Sequence, residues 1–293
     1  MKQTQRLSII WAILAAALYA LNAPMSKLLL EAVPPTMMAA LLYLGAGTGM
    51  LAVGAVRRAV EKTPTERHLT RKDLPYTVGM IILDIAAPIF LMIGLTSAAP
   101  ANVSLLNNFE IVATSLIALL IFKEAISRDL WLAIGLITLS SAVLSIEDSS
   151  SFQFSTGSLF VLLACVCWGF ENNCTRMMSE SDPLEIVVIK GIGSGLGSLL
   201  ISFVTGERLP DLKLVPAVML LGFVSYGLSI FFYVYAQRRL GAALTSAFYA
   251  VSPFIGVILS LLIFQELPGT RFFIALGIMA AGTYLAAKNP EPD

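Results

Sequence analysis

Histidine is almost missing from this chain: His68 is the only one in 293 residues. Cysteine is scarce as well, with Cys165, Cys167 and Cys174 alone. A zinc site or a Cys/His nucleophile pair needs more parts than these. Three cysteines inside one apolar stretch also make no disulfide framework, and they read as small packing residues. Charge is the third shortage. Only 13% of residues are Asp, Glu, Lys or Arg, against about 25% in an ordinary soluble domain. Acids and bases cancel to a formal net charge of zero, so no basic surplus points to nucleic acid.

What the chain has in excess is apolar surface: 57% of residues are hydrophobic and mean hydropathy is +0.82. A core of this length cannot hide that much from water, so the sequence reads as an all-α integral membrane protein. A bilayer core of about 30 Å takes about 20 helical residues. Ten windows qualify: 7–30, 35–56, 74–96, 100–122, 129–146, 157–179, 184–204, 214–236, 241–264 and 271–287. Long apolar runs exclude a β-barrel, whose strands are short and alternate. The first run is too long for a signal peptide and lacks a clear cleavage site, so it reads as a retained span.

Basic residues set the orientation. With the N-terminus in the cytoplasm, Lys27, Arg208, Lys213 and Arg271 fall outside and Lys190 falls within a span. All the other Lys and Arg, 19 − 5 = 14 of them, fall on the cytoplasmic side. Both termini are therefore expected in the cytoplasm of a multi-pass protein of the cell membrane, the bacterial inner membrane. The loop "RRAVEKTPTERHLTRKD" is then an orientation signal rather than a lipid or nucleic-acid patch.

The chain also repeats itself. "LLIFKEAISRDLWLAIGLITL" at 119–139 matches "LLIFQELPGTRFFIALGIMAA" at 261–281. "LYALNAPMSKLL" at 18–29 aligns with "CWGFENNCTRMM" at 167–178, setting Asn22 on Glu171, Ser26 on Thr175 and Lys27 on Arg176. The expected domains are a first five-helix repeat at 1–148 and a second at 149–293. Five spans per half is an odd number, so the halves enter the membrane from opposite sides, the build of many secondary transporters. The expected fold is ten transmembrane helices in two inverted five-helix repeats.

With its aromatic-small pairs Tyr19-Ala20 and Trp168-Gly169, the following Lys27 or Arg176, and the "LLIFKE" and "LLIFQE" ends with Pro253, the chain resembles the EamA-type transporters of the drug/metabolite transporter superfamily. It departs from the pattern in having Ile111 where Pro253 would align. The resemblance implies a ten-helix, cofactor-free transporter, commonly an exporter of small metabolites.

A charged side chain at a helix centre costs about 2.5 to 3.5 kcal/mol on insertion scales. Four occur here, Asp84, Glu110, Glu171 and Lys190, so they must face a cavity or one another. Counting rise per residue, Asp84 and Glu110 fall near the midplane, while Glu171 and Lys190 lie about 10 Å from the cytoplasmic boundary, within reach of an ion pair. Asn107, Glu110 and Thr114 share a helical face by spacing, as do Asn22 and Ser26. The glycines of "KGIGSGLGSLL" and "LGAGTGM" read as close helix packing, since no phosphate-loop ending follows them.

The expected substrate-binding set is Glu171, Glu110, Asp84, Asn172, Asn107, Asn22, Lys190, Trp168, Tyr19 and Tyr226, with Phe231 and Tyr249 as further aromatics. Three acids against one base favour cationic or zwitterionic cargo such as amino acids or amines, with cation–π contacts from the aromatics. Proton coupling through Glu171 or Glu110 is a hypothesis raised by the same groups, because moving a carboxylate from water to a drier site favours its protonated form. No enzymatic constellation is found, and no metal or other cofactor is expected. The expected partners are a small-molecule substrate and the lipid bilayer, with the chain a monomer or homodimer. Two alternatives stay open: anionic or nucleotide-type cargo held by Lys190, and a non-transporting membrane scaffold or sensor.

Overall fold

The computed structural model describes residues 3–60, 67–123, 127–148, 153–178, 180–236 and 248–288. Lys62, Glu124, Arg238, Arg239 and the start of the ninth expected span, 241–247, lie outside the described residues. The helices in chain order are α1 (Gln3–Ala20), α2 (Asn22–Leu29), α3 (Pro35–Val60), α4 (Leu74–Ser97), α5 (Pro100–Leu106), α6 (Phe109–Phe122) and α7 (Arg128–Ser145). After a small hairpin, β1 (Ile146–Asp148) and β2 (Gln153–Phe154), come α8 (Thr156–Met177) and α9 (Pro183–Val204). Then come α10 (Val215–Ala236), α11 (Ser252–Phe264) and α12 (Thr270–Lys288). Among the described residues, eight helical stretches are long and apolar enough to cross a membrane, with α1–α2 and α5–α6 each forming one of them. Two shorter apolar helices, Ser252–Phe264 and Thr270–Ala286, fall within the described parts of the last two expected spans.

Helix ends carry the polar signals that place them. Ser127 accepts from Leu130 N at the start of α7, and Asp182 accepts from Leu184 N at the start of α9. At one end of the bundle, Arg57 meets Asp182 at 3.4 Å and Arg67 meets Glu180 at 3.1 Å, tying the end of α3 and the segment before α4 to the α8–α9 turn. At the other end, the Glu207 carboxylate accepts from Thr36 N and Met37 N, where the exposed amides and dipole of the α3 N-terminus favour an anion. Lys27 donates there to Leu95 O and Ala98 O at the end of α4. Large apolar side chains such as Leu120, Leu200 and Leu262 stay exposed around the bundle, as a lipid-facing surface demands.

Glycine sets the closest approaches. A Cβ placed on Gly191 of α9 would fall on the Gly47 backbone of α3, and one on Gly45 would fall on the Met219 backbone of α10. α3 is thus pressed between α9 and α10, as expected where small residues let backbones touch. The aromatic-small pair does the same for α8. A Cβ on Gly169 would meet Ala113 and the Thr114 backbone of α6, while Trp168 beside it is buried in the apolar core. The two copies of the "LLIF" motif also end alike. Lys123 (φ 55°) after α6 and Gln265 (φ 54°) after α11 are the two non-glycine residues with left-handed backbone among those described.

Candidate functional site

Four helices bring the buried charges together. Lys190 Nζ of α9 lies 2.9 Å from Glu171 Oε1 of α8 and 3.1 Å from Asp84 Oδ2 of α4. Tyr43 of α3 donates its hydroxyl to Asp84 Oδ1 at 2.8 Å, and Thr175 donates to Glu171 from one turn further along α8. Asp84 is fully buried, with Glu171 and Lys190 nearly so. The ion pair expected within reach of Glu171 and Lys190 is present, and Asp84 joins it as a second acid. Two carboxylates against one ammonium leave this trio a formal charge of −1.

Glu110 stands in a separate cluster and is only half-buried. Asn172 Nδ2 donates to Glu110 Oε1 at 2.6 Å and to Thr114 Oγ1 at 3.3 Å, so α8 reaches α6 through a neutral amide rather than a base. Asn173 donates to Thr114 O at 3.2 Å and to Gly169 O at 2.8 Å, fixing the same contact. Within "ENN", Glu171 therefore serves Lys190 while Asn172 and Asn173 both reach Thr114 of α6.

Asn107 precedes α6, in the turn that joins it to α5. The helix is interrupted at Asn107–Asn108, where Glu110 N and Ile111 N bond three residues back, to Asn107 O and Asn108 O. In such a tightened turn residues three apart, as Asn107 and Glu110 are, come to lie above one another. Asn107 also lines a small cavity with Tyr19, Asn22 and Ser252.

Of the expected aromatic residues, Tyr19, Tyr226 and Tyr249 converge on the first span. Asn22 donates to Tyr226 OH at 3.0 Å and accepts from Ser26 at 3.1 Å. The Tyr226 ring lies 5.0 Å from that of Tyr43 and 5.9 Å from that of Tyr19, which is itself 5.9 Å from Tyr249. Tyr226 is carried on a π-helical turn, Phe223–Leu228, a local widening often found at functional sites. Phe231 packs against Phe232 and Tyr235, apart from this group. Hydrogen bonds thus join Asn22 to Tyr226 and Tyr43 to Asp84, with ring packing between the two tyrosines, and Asp84 and Glu171 share Lys190. Tyr43 and Thr175 were not singled out from sequence. A tyrosine in a glycine-rich apolar run reads as packing, although Thr175 carried a signal in its alignment with Ser26.

The model of the EamA-like transporter family matches residues 6–146 and again 155–288. The chain belongs to this family. It is a multi-pass membrane transporter, and known proteins similar to it carry matching descriptions. An uncharacterized transporter of Methanothermobacter thermautotrophicus is 25% identical, covering 94% of this chain and 85% of that protein. The uncharacterized inner membrane transporter YedA of Escherichia coli K12 is 24% identical, covering 89% of this chain and 86% of that one. A solved crystal structure superposes with a TM-score of 0.69 over 95% of each chain at 18% identity, which shows a shared fold.

Proposed function

We propose that this family member is a secondary transporter that exports small cationic or zwitterionic metabolites, such as amino acids or amines, by alternating access. Charge balance in the interior carries the reading. Of three buried or half-buried carboxylates, two are engaged by the single ammonium, Lys190. Among the described residues, Glu110 accepts from the neutral Asn172 and pairs with no base, and it is half-buried, so it is the acid left to receive a positive charge. Asn172, Asn107 and Asn22 supply amides for the cargo's polar groups, and Tyr19, Tyr226 and Trp168 supply aromatic faces. An anionic cargo held by Lys190 is disfavoured, because it would have to displace two carboxylates.

Two inverted five-helix repeats at 1–148 and 149–293 supply the alternating movement in this reading. Support comes from the two separate family matches, from the like caps at Lys123 and Gln265, and from the same one-turn bond in Ser26 to Asn22 and Thr175 to Glu171. The basic-residue bias supports cytoplasmic termini. Export is the direction that the family resemblance suggests. Protons couple transport through Glu110 or Glu171 in this scheme.

The test is a melting-temperature screen of the purified chain against amino acids, polyamines, quaternary amines, nucleosides and sugar phosphates at pH 6 and pH 8, because a ligand selective for the folded state raises the melting temperature. A rise with amines or amino acids that Glu110→Gln abolishes is expected. A rise confined to phosphates would overturn the cargo assignment. Transport by Glu110→Gln and Glu171→Gln that kept its full pH dependence would remove proton coupling.

A further inference from the structure

Three spans are interrupted around one point. The first breaks at Leu21 between α1 and α2, the second at Asn107–Asn108 between α5 and α6, and the third at Ala250–Val251 just before α11. Residues flanking all three breaks line a single cavity of about 10 Å³, the room of one water-sized group. Three side-chain oxygens in its wall, Ser104 Oγ, Asn107 Oδ1 and Ser252 Oγ, have no hydrogen-bond partner among the described residues. Their residues are 3%, 8% and 1% exposed. Buried polar atoms in native proteins are nearly always satisfied, so three around one cavity point to an occupant.

The chemistry of the wall selects that occupant. Pro24 has no N–H to offer Ala20 O one helical turn earlier, and Pro253 withholds the same donor from Tyr249 O. Ala20 O reaches toward the cavity's far wall: a Cβ placed on Gly256 would stand 3.4 Å from it and 2.8 Å from Ser104 Oγ. The wall is thus rich in oxygen acceptors and poor in fixed N–H donors, and hard cations prefer oxygen ligands. Carbonyls freed where membrane helices are interrupted are a recurring way to hold a coupling cation. Glu110, in the first turn of α6, follows the lining residue Asn107 by three positions.

We propose that this cavity is a binding site for a small cation, either Na⁺ or the ammonium head of a primary amine, held by the neutral oxygens of Ser104, Asn107, Ser252 and Ala20. The inference does not depend on the cargo or direction of transport, and its failure would leave the proposed function standing.

The experiment compares melting of the purified full chain in sodium chloride, methylammonium chloride and choline chloride at matched ionic strength. Choline's quaternary head is too large for the cavity and serves as the reference. A saturable rise in one of the first two salts is expected, and the salt that gives it identifies the source of the cation. Ser252→Ala and Ser104→Ala should melt near the parent in choline yet lose the cation-dependent rise. Gly256→Ala, whose methyl would crowd Ser104 Oγ, should lose it as well. Equal melting in all three salts would overturn the proposal and leave an ordered water as the occupant. So would a rise that survives in every variant that folds.

Discussion

Two stretches that align in sequence behave alike in geometry and oppositely in charge. On α2, Ser26 bonds Asn22 across one helical turn, and Asn22 reaches Tyr226 of α10. On α8, Thr175 bonds Glu171 across one turn, and Glu171 reaches Lys190 of α9. The same local device closes a neutral pair in the first stretch and an ionic trio with Asp84 in the second. Neutral hydrogen bonds between membrane helices contribute little, about 0.6 kcal/mol on average. Buried charges are a different matter, because each leans on its partner to offset desolvation. The neutral site should tolerate change, and the ionic one should depend on its base.

The widest gap between the two stretches lies at Lys190. Lys190→Met strands two buried carboxylates and should destabilise the fold by about 3 to 5 kcal/mol, read as lost monodisperse yield and a lower melting temperature in detergent. Adding Asp84→Asn and Glu171→Gln to it should recover most of the loss. If Lys190→Met melts like the parent, the trio is not held as the distances indicate.

Asn22→Glu pushes the neutral stretch toward its counterpart without supplying a base. A carboxylate placed there should cost about 2.5 to 3.5 kcal/mol by insertion scales, so an unchanged melting temperature would mean an unforeseen cation reaches α2. Asp84→Asn should be much milder, about 1 kcal/mol, since it leaves Lys190 and Glu171 as a one-to-one pair. Equal damage from Asp84→Asn and Lys190→Met would refute the formal −1 count. The smallest effect belongs to Tyr226→Phe, about 0.6 kcal/mol and under 2. A larger loss would show that Asn22 and Tyr226 hold more than one bond between spans.

Much of this arrangement was legible in the sequence. Depth counted along the helices brought Glu171 and Lys190 to one level, and the structure pairs them at 2.9 Å. The same count set Asp84 several ångströms deeper. The long Lys190 side chain bridges that difference, which a count of backbone rise does not register. The break between α5 and α6 at Asn107–Asn108 was not foreseen, because the span was read as one unbroken helix. The αR backbone of Asn107 at φ −58°, ψ −23° carries no glycine or proline signal of the tightened turn that follows.

The sequence by itself determined that the chain is helical, apolar and membrane-embedded, and that its four interior charges must turn away from lipid. Those properties follow from transfer free energies that act residue by residue and need no neighbour to be known. Which carboxylate takes the ammonium, which meets only an amide, and which oxygens stand together around a cavity are different questions. Only the tertiary structure decided them. Each answer depends on three or four helices meeting at one depth, where Gly47, Gly191 and Gly169 let backbones approach closely enough for side chains of distant segments to touch.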